Sequence, residues 1–153
     1  MKQLKELGLI KGKGALPKGL LKCCHQGRLV GGLSISLRAT PDEVVGGVTH
    51  EMGVKGFKVF DVRTTKPMVM EIAFRDLVEK WEVEDVEGLV HNLNDLFRDE
   101  PGAKLLVVLG DWEDMLQLWA LDREVLRRLL DSRLLDDARN AIQLRRLIER
   151  EDQ

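Results

Sequence analysis

Hydrophobic and polar positions along this chain form one pattern twice, in which two strand-like runs flank a polar turn and lead into helical sequence. The first copy has its runs at 57–62 and 68–74, and the second has them at 105–109 and 115–121. A strand, a turn, a strand and a helix in succession are typical of an antiparallel sheet covered by helices. The pattern therefore predicts an α+β fold built from two ββα-like units.

The strand predictions rest on alternation, which differs between the two copies. In the run 68–74, large apolar side chains occupy every second position, as in a half-buried strand. The run 105–109 is apolar on both faces and suits a central strand. We interpret 115–121 as a strand too, but Trp112 and Trp119 also follow helical spacing. A helix therefore stays open for this run.

Three helical regions are predicted to pack on this sheet. The first spans 41–52, because Thr40 and Glu43 match a capping box and Gly53 provides a stop. The second spans 84–98, where the apolar residues follow the three-four spacing of an amphipathic helix. The chain after the second hairpin is helical by composition and forms the third region.

Two shorter elements complete the predicted fold. Leu33, Ile35 and Leu37 alternate with polar residues, which indicates one more half-buried strand. A short helix is predicted from Arg75 to Trp81. The expected architecture is a single α+β domain in which one antiparallel sheet of four to five strands is packed by helices. An apolar content of 44% is enough for such a core without disulfides or a structural metal.

Charge is distributed unevenly along the 153 residues, although the formal net charge is only -2. Residues 1–28 contain seven Lys or Arg and one Glu, whereas residues 29–153 contain 17 basic and 25 acidic side chains. The first 27 residues are also rich in glycine and show no sustained period. We interpret 1–27 as a basic, flexible or extended N-terminal arm, with a short helix near its start, and 28–153 as the α+β domain.

The sequence gives little reason to expect a membrane or an oxidising compartment. No apolar run approaches the roughly 20 residues that a membrane-spanning helix needs, and the lysine-rich start lacks the pattern of a secretory signal. Cys23 and Cys24 are adjacent, which is poor geometry for a disulfide, so we expect free thiols. A cytoplasmic location is expected.

Two short runs of potential metal ligands lack the spacing that a metal site needs. Cys23, Cys24 and His25 are three potential ligands in a row, but a zinc site needs ligands spaced so that they converge. His50 and Glu51 match the first half of a zinc-protease helix, yet the residue four positions after the histidine is a valine. We expect His50 to be solvated, and we expect no metal and no cofactor.

Glu87, His91 and Asp95 repeat every four residues along the second predicted helix. Such a row can bind a divalent ion at the surface or raise the pKa of the histidine through the carboxylates. A solvated face with i,i+4 pairing is the preferred interpretation.

Motifs for catalysis are also missing from the sequence. Ser34, Ser36 and Ser132 do not lie in a glycine-flanked nucleophile elbow, and the early glycines lack the spacing of a phosphate-binding loop. We therefore expect a protein that is not an enzyme. An enzyme would need the histidines and carboxylates to meet in a cleft, which sequence cannot show.

An acidic surface is the feature on which the functional hypothesis depends. Residues 76–100 contain nine Asp or Glu and two basic residues. Most acidic helices are only solvated, but a basic surface of a nucleic-acid-handling complex would be complementary to this one. We expect a non-enzymatic protein-binding module, a small regulator or inhibitor that docks onto a larger macromolecular machine. The expected binding residues are Glu84, Glu87, Asp95 and, as an aromatic anchor, Trp112.

The alternative hypothesis is a nucleic-acid-binding accessory protein that acts through the basic arm. Several cations in the arm are separated by glycines and could neutralise phosphates. They are Lys11, Lys13, Lys18, Lys22 and Arg28. No aromatic residue is interleaved with them, and the acidic remainder of the chain would repel a nucleic acid. A homo-oligomer also stays open.

Overall fold

The computed structural model describes residues 2–151, without the side chains of residues 150 and 151. Within that range the chain forms six helices and six strands. The helices are α1 (Lys2–Glu6), α2 (Leu20–His25), α3 (Pro41–Met52), α4 (Val86–Phe97), α5 (Arg123–Asp131) and α6 (Ala141–Glu151). The strands are β1 (Gly32–Ser36), β2 (Lys58–Arg63), β3 (Met68–Phe74), β4 (Leu77–Val83), β5 (Leu105–Trp112) and β6 (Met115–Leu121).

The strands form two antiparallel sheets of three strands, so the α+β class is confirmed and the single sheet of four to five strands is wrong. In the first sheet β6 lies between β1 and β5, and in the second β3 lies between β2 and β4. The two predicted hairpins do not join each other, because each takes its third strand from a segment outside the hairpin. The second sheet instead covers one apolar face of β5 and β6.

The prediction of a helix from Arg75 to Trp81 is wrong, because this segment turns and forms β4. Arg75 adopts a positive φ of 55°, which is turn geometry. Strand β4 then pairs with β3 from Leu77 opposite Phe74 to Val83 opposite Met68. The segment is charged and short, so helical spacing and alternation fit it about equally well, and pairing with β3 decides between them.

The run from Met115 to Leu121 is a strand, as predicted, and the helical alternative is wrong. Glu113 and Asp114 form the turn before it, and both have positive φ, 51° and 63°. A two-residue hairpin loop of this kind matches the twist of the strands it joins. The hairpin turn is therefore shorter than the five residues between the two predicted runs, and β5 continues to Trp112.

Two hydrophobic cores lie on the two faces of the first sheet. One contains the inner side chains of β3 together with α3 and α4, and Leu106 and Leu118 contribute from the sheet. The other contains α5 and α6, and Val107 and Trp119 contribute from the opposite face of the sheet. Both β5 and β6 are therefore buried on both sides, which explains why the sequence of β5 is apolar from Leu105 to Leu109.

The N-terminal segment packs into the second core. Leu4, Leu9, Cys23 and Cys24 are buried there, and helix α2 contacts β1, β5 and β6. The short helix near the start is present as α1. The boundary that separates an arm from a domain at residue 28 stays a prediction.

Helix α3 has the predicted bounds, but the backbone bonds of the predicted capping box are not formed. The hydroxyl of Thr40 donates to Glu43 Oε1 at 2.8 Å, so the two capping-box side chains bond each other and not the backbone. Gly53 ends the helix at a φ of 75°, as predicted. At Gly46 and Gly47, in mid-helix, an added Cβ would meet nothing within 4 Å. Helical glycine costs about 1 kcal/mol relative to alanine, and packing within the chain explains neither residue.

Two buried asparagines close the free edge of β5. Asn94 accepts from the N–H of Leu106 at 2.7 Å and donates to its carbonyl at 2.8 Å. Asn140 accepts from the N–H of Val108 and also donates to the carbonyl of Leu106, both at 2.8 Å. The N–H of Arg139 reaches the carbonyl of Val108 at 2.9 Å. These bonds replace a neighbouring strand, as buried backbone groups require.

Candidate functional site

A cavity of about 410 Å³ opens between β4 and α4, within the acidic segment 76–100. Its lining residues are Glu79, Trp81, Asn92, Asp95, Leu96, Arg98 and Asp99. Strand β4 contributes the first two, and α4 with the residues after it contributes the others. The half-buried Trp81 and Leu96 provide apolar surface, and the three carboxylates surround it. We name this site the acidic cavity.

The aromatic side of the acidic cavity is firmly held. The indole N–H of Trp81 donates to Glu79 Oε2 at 3.0 Å. The Trp81 ring lies 6.0 Å from the Phe57 ring, which in turn packs edge-on against Phe97 at 5.4 Å. Aromatic contacts at these distances are favourable and restrict the rotamers of the rings. The indole is thus pre-positioned and not free to swing into the cavity.

The electrostatics of the acidic cavity favour a cation. Arg98, the one cation among its lining residues, lies 3.2 Å from Asp95 and 3.5 Å from Asp99. A lining of three carboxylates and one guanidinium keeps a negative balance. A lysine or arginine side chain from a partner could bind to the carboxylates of Asp95 and Asp99. The Trp81 ring could add a cation–π contact.

The predicted binding residues do not all meet at this cavity. Asp95 lines it, and Glu84 is exposed just before α4. Glu87 is half-buried and turned to another neighbour, since it accepts from Arg139 at 2.8 Å. Arg139 also reaches Asp111 at 3.0 Å, and the hydrogen bonds to Asp111 and Glu87 raise the pKa of Arg139. Glu87 therefore joins α4 to the end of β5 and serves the fold.

Trp112, the last residue of β5, packs against α2 and does not line the acidic cavity. Its ring centroid is 5.9 Å from that of His25, and the ammonium of Lys22 lies 6.0 Å from the ring. His25 Nε2 also approaches Glu113 at 3.5 Å. The indole is half-buried by these contacts. They fix the end of the second hairpin to the N-terminal segment, so Trp112 is not presented as a free anchor.

The basic residues of the N-terminal segment differ in exposure and in hydrogen bonding. Lys11, Lys13 and Lys18 are exposed on the loop between α1 and α2. Arg28 is half-buried and holds that loop, because its guanidinium donates to the carbonyls of Lys11 at 2.6 Å and Ala15 at 3.1 Å. The three exposed lysines are thus displayed by an ordered loop, while Arg28 has a structural role.

Both cysteines are buried thiols. Cys23 Sγ donates to the carbonyl of Pro17 at 3.2 Å, and Cys24 Sγ donates to those of Leu118 at 3.3 Å and Leu33 at 3.7 Å. Burial raises the pKa of both, to about 11 for Cys24. A thiol that stays protonated at neutral pH is a poor nucleophile and a poor metal ligand.

The histidines have separate surroundings. His25 contacts Trp112, and His50 is exposed on α3 as expected. His91 is half-buried, and its Nδ1 lies 3.0 Å from Gln143 Oε1 on α6. Its Nε2 lies 3.8 Å from the carboxylate of Glu87. Across residues 2–151, no three His, Cys, Asp or Glu side chains are grouped to hold a metal ion.

Sequence reasoning missed Glu79, Trp81 and Asp99 as lining residues. The missing signal was alternation, because Glu79, Trp81 and Val83 share one face only if the segment is a strand. The buried Asn94 was also missed. It stands four residues after Val90 and three before Phe97, so it borders the apolar stripe of α4, and a polar residue there indicates an internal hydrogen bond.

Searches of protein-family models, of curated proteins and of solved structures find no match to this chain. None of the helices formed by residues 2–151 has the length and apolar character needed to cross a bilayer. The function is therefore inferred from the surface chemistry of the chain itself.

Proposed function

We propose that this chain is a non-enzymatic protein-binding module, a small regulator or inhibitor that docks through its acidic face onto a basic surface of a larger macromolecular machine. The acidic cavity carries the proposal, because it combines carboxylates with a pre-positioned indole. This combination suits a lysine or arginine side chain from a protein partner. Asp95 lines the cavity, and the exposed Glu84 just before α4 adds to the negative charge of the segment 76–100. Such charge favours rapid docking that weakens with salt.

The test is capture of partners from the native host at low and moderate salt, with the wild type and a charge-reversed variant as baits. The variant carries Glu84→Lys and Asp95→Lys, both at exposed positions. Glu87 is left unchanged, because its reversal would break the bond to Arg139. We expect at least about a tenfold loss of the captured partner with little loss of stability.

A matched control reverses the same number of charges elsewhere. Glu124 and Asp131 are exposed on α5, so Glu124→Lys with Asp131→Lys changes the net charge equally and should leave capture unchanged. The proposal fails if both variants capture the same partner equally well. It also fails if no partner binds at either salt concentration and the purified chain turns over a substrate.

A second proposal, binding to nucleic acid, is favoured by one observation. Lys11, Lys13 and Lys18 are exposed on a loop that Arg28 holds in place. Deleting the segment would remove Leu4 from the core, so charge removal at the three lysines is the informative change. Lys→Gln at all three positions should reduce the salt dependence of binding to duplex or single-stranded DNA or RNA. The proposal is wrong if the wild type has no affinity or the variant binds equally.

A further inference from the structure

Strand β1 presents unpaired backbone groups on the side opposite β6. The N–H of Ala120 donates to the carbonyl of Gly31 at 2.9 Å, and the N–H of Leu37 donates to the carbonyl of Asp114 at 3.0 Å. Hydrogen-bonded pairs alternate along an antiparallel ladder. The odd-numbered residues of β1 therefore bond to β6, and the even-numbered ones point their N–H and C=O groups outward.

Four of these outward groups have no hydrogen-bond partner in residues 2–151. The N–H of Gly32 bonds to Leu29, and the carbonyl of Ser36 accepts from Ala39. The four that remain are the carbonyl of Gly32, the N–H and carbonyl of Ser34, and the N–H of Ser36. They have the alternation with which a further antiparallel strand would pair.

The other exposed edges carry features that discourage pairing, and β1 does not. Strand β2 has a register shift after Phe60, with Asp61 at a φ of 51° and Arg63 exposed. Strand β4 carries the exposed charges of Lys80 and Glu82. Bulges and charges are common protections of sheet edges. Strand β1 has the uncharged sequence GLSIS, without proline or register shift.

A groove of about 410 Å³ runs between this edge and α3. Strand β1 forms one wall, and α3 forms the other with Glu43, Gly47 and Glu51, one residue per helical turn. Among the described residues that line the groove none is basic and two are glutamates, so its charge is negative. Gly47 lies midway between the two glutamates and has no side chain, so the groove has room there for another chain. Leu37, beside the groove, keeps 38% of its surface exposed.

We propose that this groove binds an extended basic peptide segment, which adds to β1 as a fourth strand. Glu43 and Glu51 are eight residues apart, about 12 Å along a helix. In an extended strand, residues i and i+4 are about 13 Å apart and point to one face. The ligand is a segment with Lys or Arg at i and i+4 and a small or apolar residue at i+2, opposite Gly47.

A second copy of this chain fits the groove less well. Pairing of two β1 strands would bring Glu43 and Glu51 of both copies together without a lining cation to compensate. Like charges across an interface oppose association. The inference goes beyond the acidic cavity, because it uses a different sheet and a different helix. The variant with Glu84→Lys and Asp95→Lys should therefore bind the peptide as the wild type does, and failure of either proposal is recognised separately.

The experiment titrates the full chain, labelled with ¹⁵N, with a synthetic nine-residue peptide and follows amide chemical shifts. The peptide carries two lysines four residues apart, a valine midway and threonine elsewhere. One control peptide has glutamate for both lysines, and another has the lysines three residues apart, which places them on opposite faces. For this dilysine peptide we expect saturable shifts at Gly32, Ser34 and Ser36 with a dissociation constant of about 1 mM. Both control peptides should bind at least about tenfold more weakly.

Two protein variants make the test specific. Gly47 lines the groove, so Gly47→Gln places a side chain in it. Gly46 does not line the groove, so Gly46→Gln is the matched control. We expect at least about a tenfold loss for Gly47→Gln and less than about a twofold change for Gly46→Gln. Both should fold, because neither new Cβ meets an atom within 4 Å.

Three results would overturn the proposal. The first is an absence of shifts at β1 with the dilysine peptide. The second is equal binding of all three peptides or of both glycine variants. The third is a dimer in sedimentation velocity that the peptide dissociates and that Gly47→Gln abolishes, because the occupant would then be a second copy of the chain.

Discussion

The two edge strands of the first sheet differ in whether their outward backbone groups are hydrogen-bonded within the protein. At the β5 edge, Asn94 and Asn140 bond the backbone of Leu106 and Val108. At the β1 edge, the outward N–H and carbonyl of Ser34 have no such partner in the described chain. The β5 edge is buried, so its polar groups need partners from within the protein, whereas groups at an exposed edge can bond to water.

This difference separates a structural edge from one that is available for binding. Closing β5 uses two fully buried polar side chains and fixes where α4 and α6 meet the sheet. The β1 edge instead keeps hydrogen-bonding capacity that a partner strand can use. The predictions below change one edge at a time, from the largest expected effect on stability to the smallest.

The largest effect on stability is expected at the β5 edge. Asn94→Ala removes both bonds to Leu106 and leaves a buried N–H without a partner, which should lower the free energy of unfolding by about 3 kcal/mol. Urea denaturation measures the loss. Asn92→Ala, at a half-buried position of the same helix, should change stability by less than about 0.5 kcal/mol. Equal effects of the two changes would mean that the asparagine does not close the edge.

An intermediate, pH-dependent effect is expected beneath the β1 edge, where the Cys24 thiol bonds to Leu33 and Leu118. Burial raises the pKa of Cys24 from 9.0 to about 11. A raised pKa stabilises the fold below pH 9, and this contribution is lost as the pH rises towards 11. The wild type should lose about 2 kcal/mol more than Cys24→Ser by pH 11. Parallel pH profiles of the two proteins in urea denaturation would contradict this.

The smallest effect, with the opposite sign, is expected in α3 beside the β1 edge. Gly46→Ala and Gly47→Ala should each raise the free energy of unfolding by about 0.5–1 kcal/mol, because both positions are helical and open. Thermal unfolding followed by circular dichroism measures the gain. A destabilised Gly47→Ala would indicate that the position is already filled in solution.

The sequence was sufficient for the elements whose pattern has one interpretation. Helices α3 and α4, strand β3 and the Gly53 stop follow directly from their periodicity and end signals. It was insufficient where local patterns compete, as from Leu77 to Val83, because pairing with β3 determines the strand. The arrangement in two sheets is likewise non-local.

The candidate sites were harder to predict than the fold. Nine acidic residues marked the segment 76–100, and Asp95 does line its cavity. Glu87 and Trp112 could not be separated from free surface residues, because their partners Arg139 and His25 are far away in sequence. The open β1 edge has no signature of its own, since exposure of a strand edge depends on which strands pair.

Amide hydrogen exchange at the two edges is the most direct test of the contrast between them. In the free protein we predict slow exchange for Leu106 and Val108, whose N–H groups bond to buried asparagines, and fast exchange for Ser34 and Ser36. The dilysine peptide should slow exchange at the two serines alone. Strong protection of Ser34 and Ser36 in the free protein would contradict an open β1 edge.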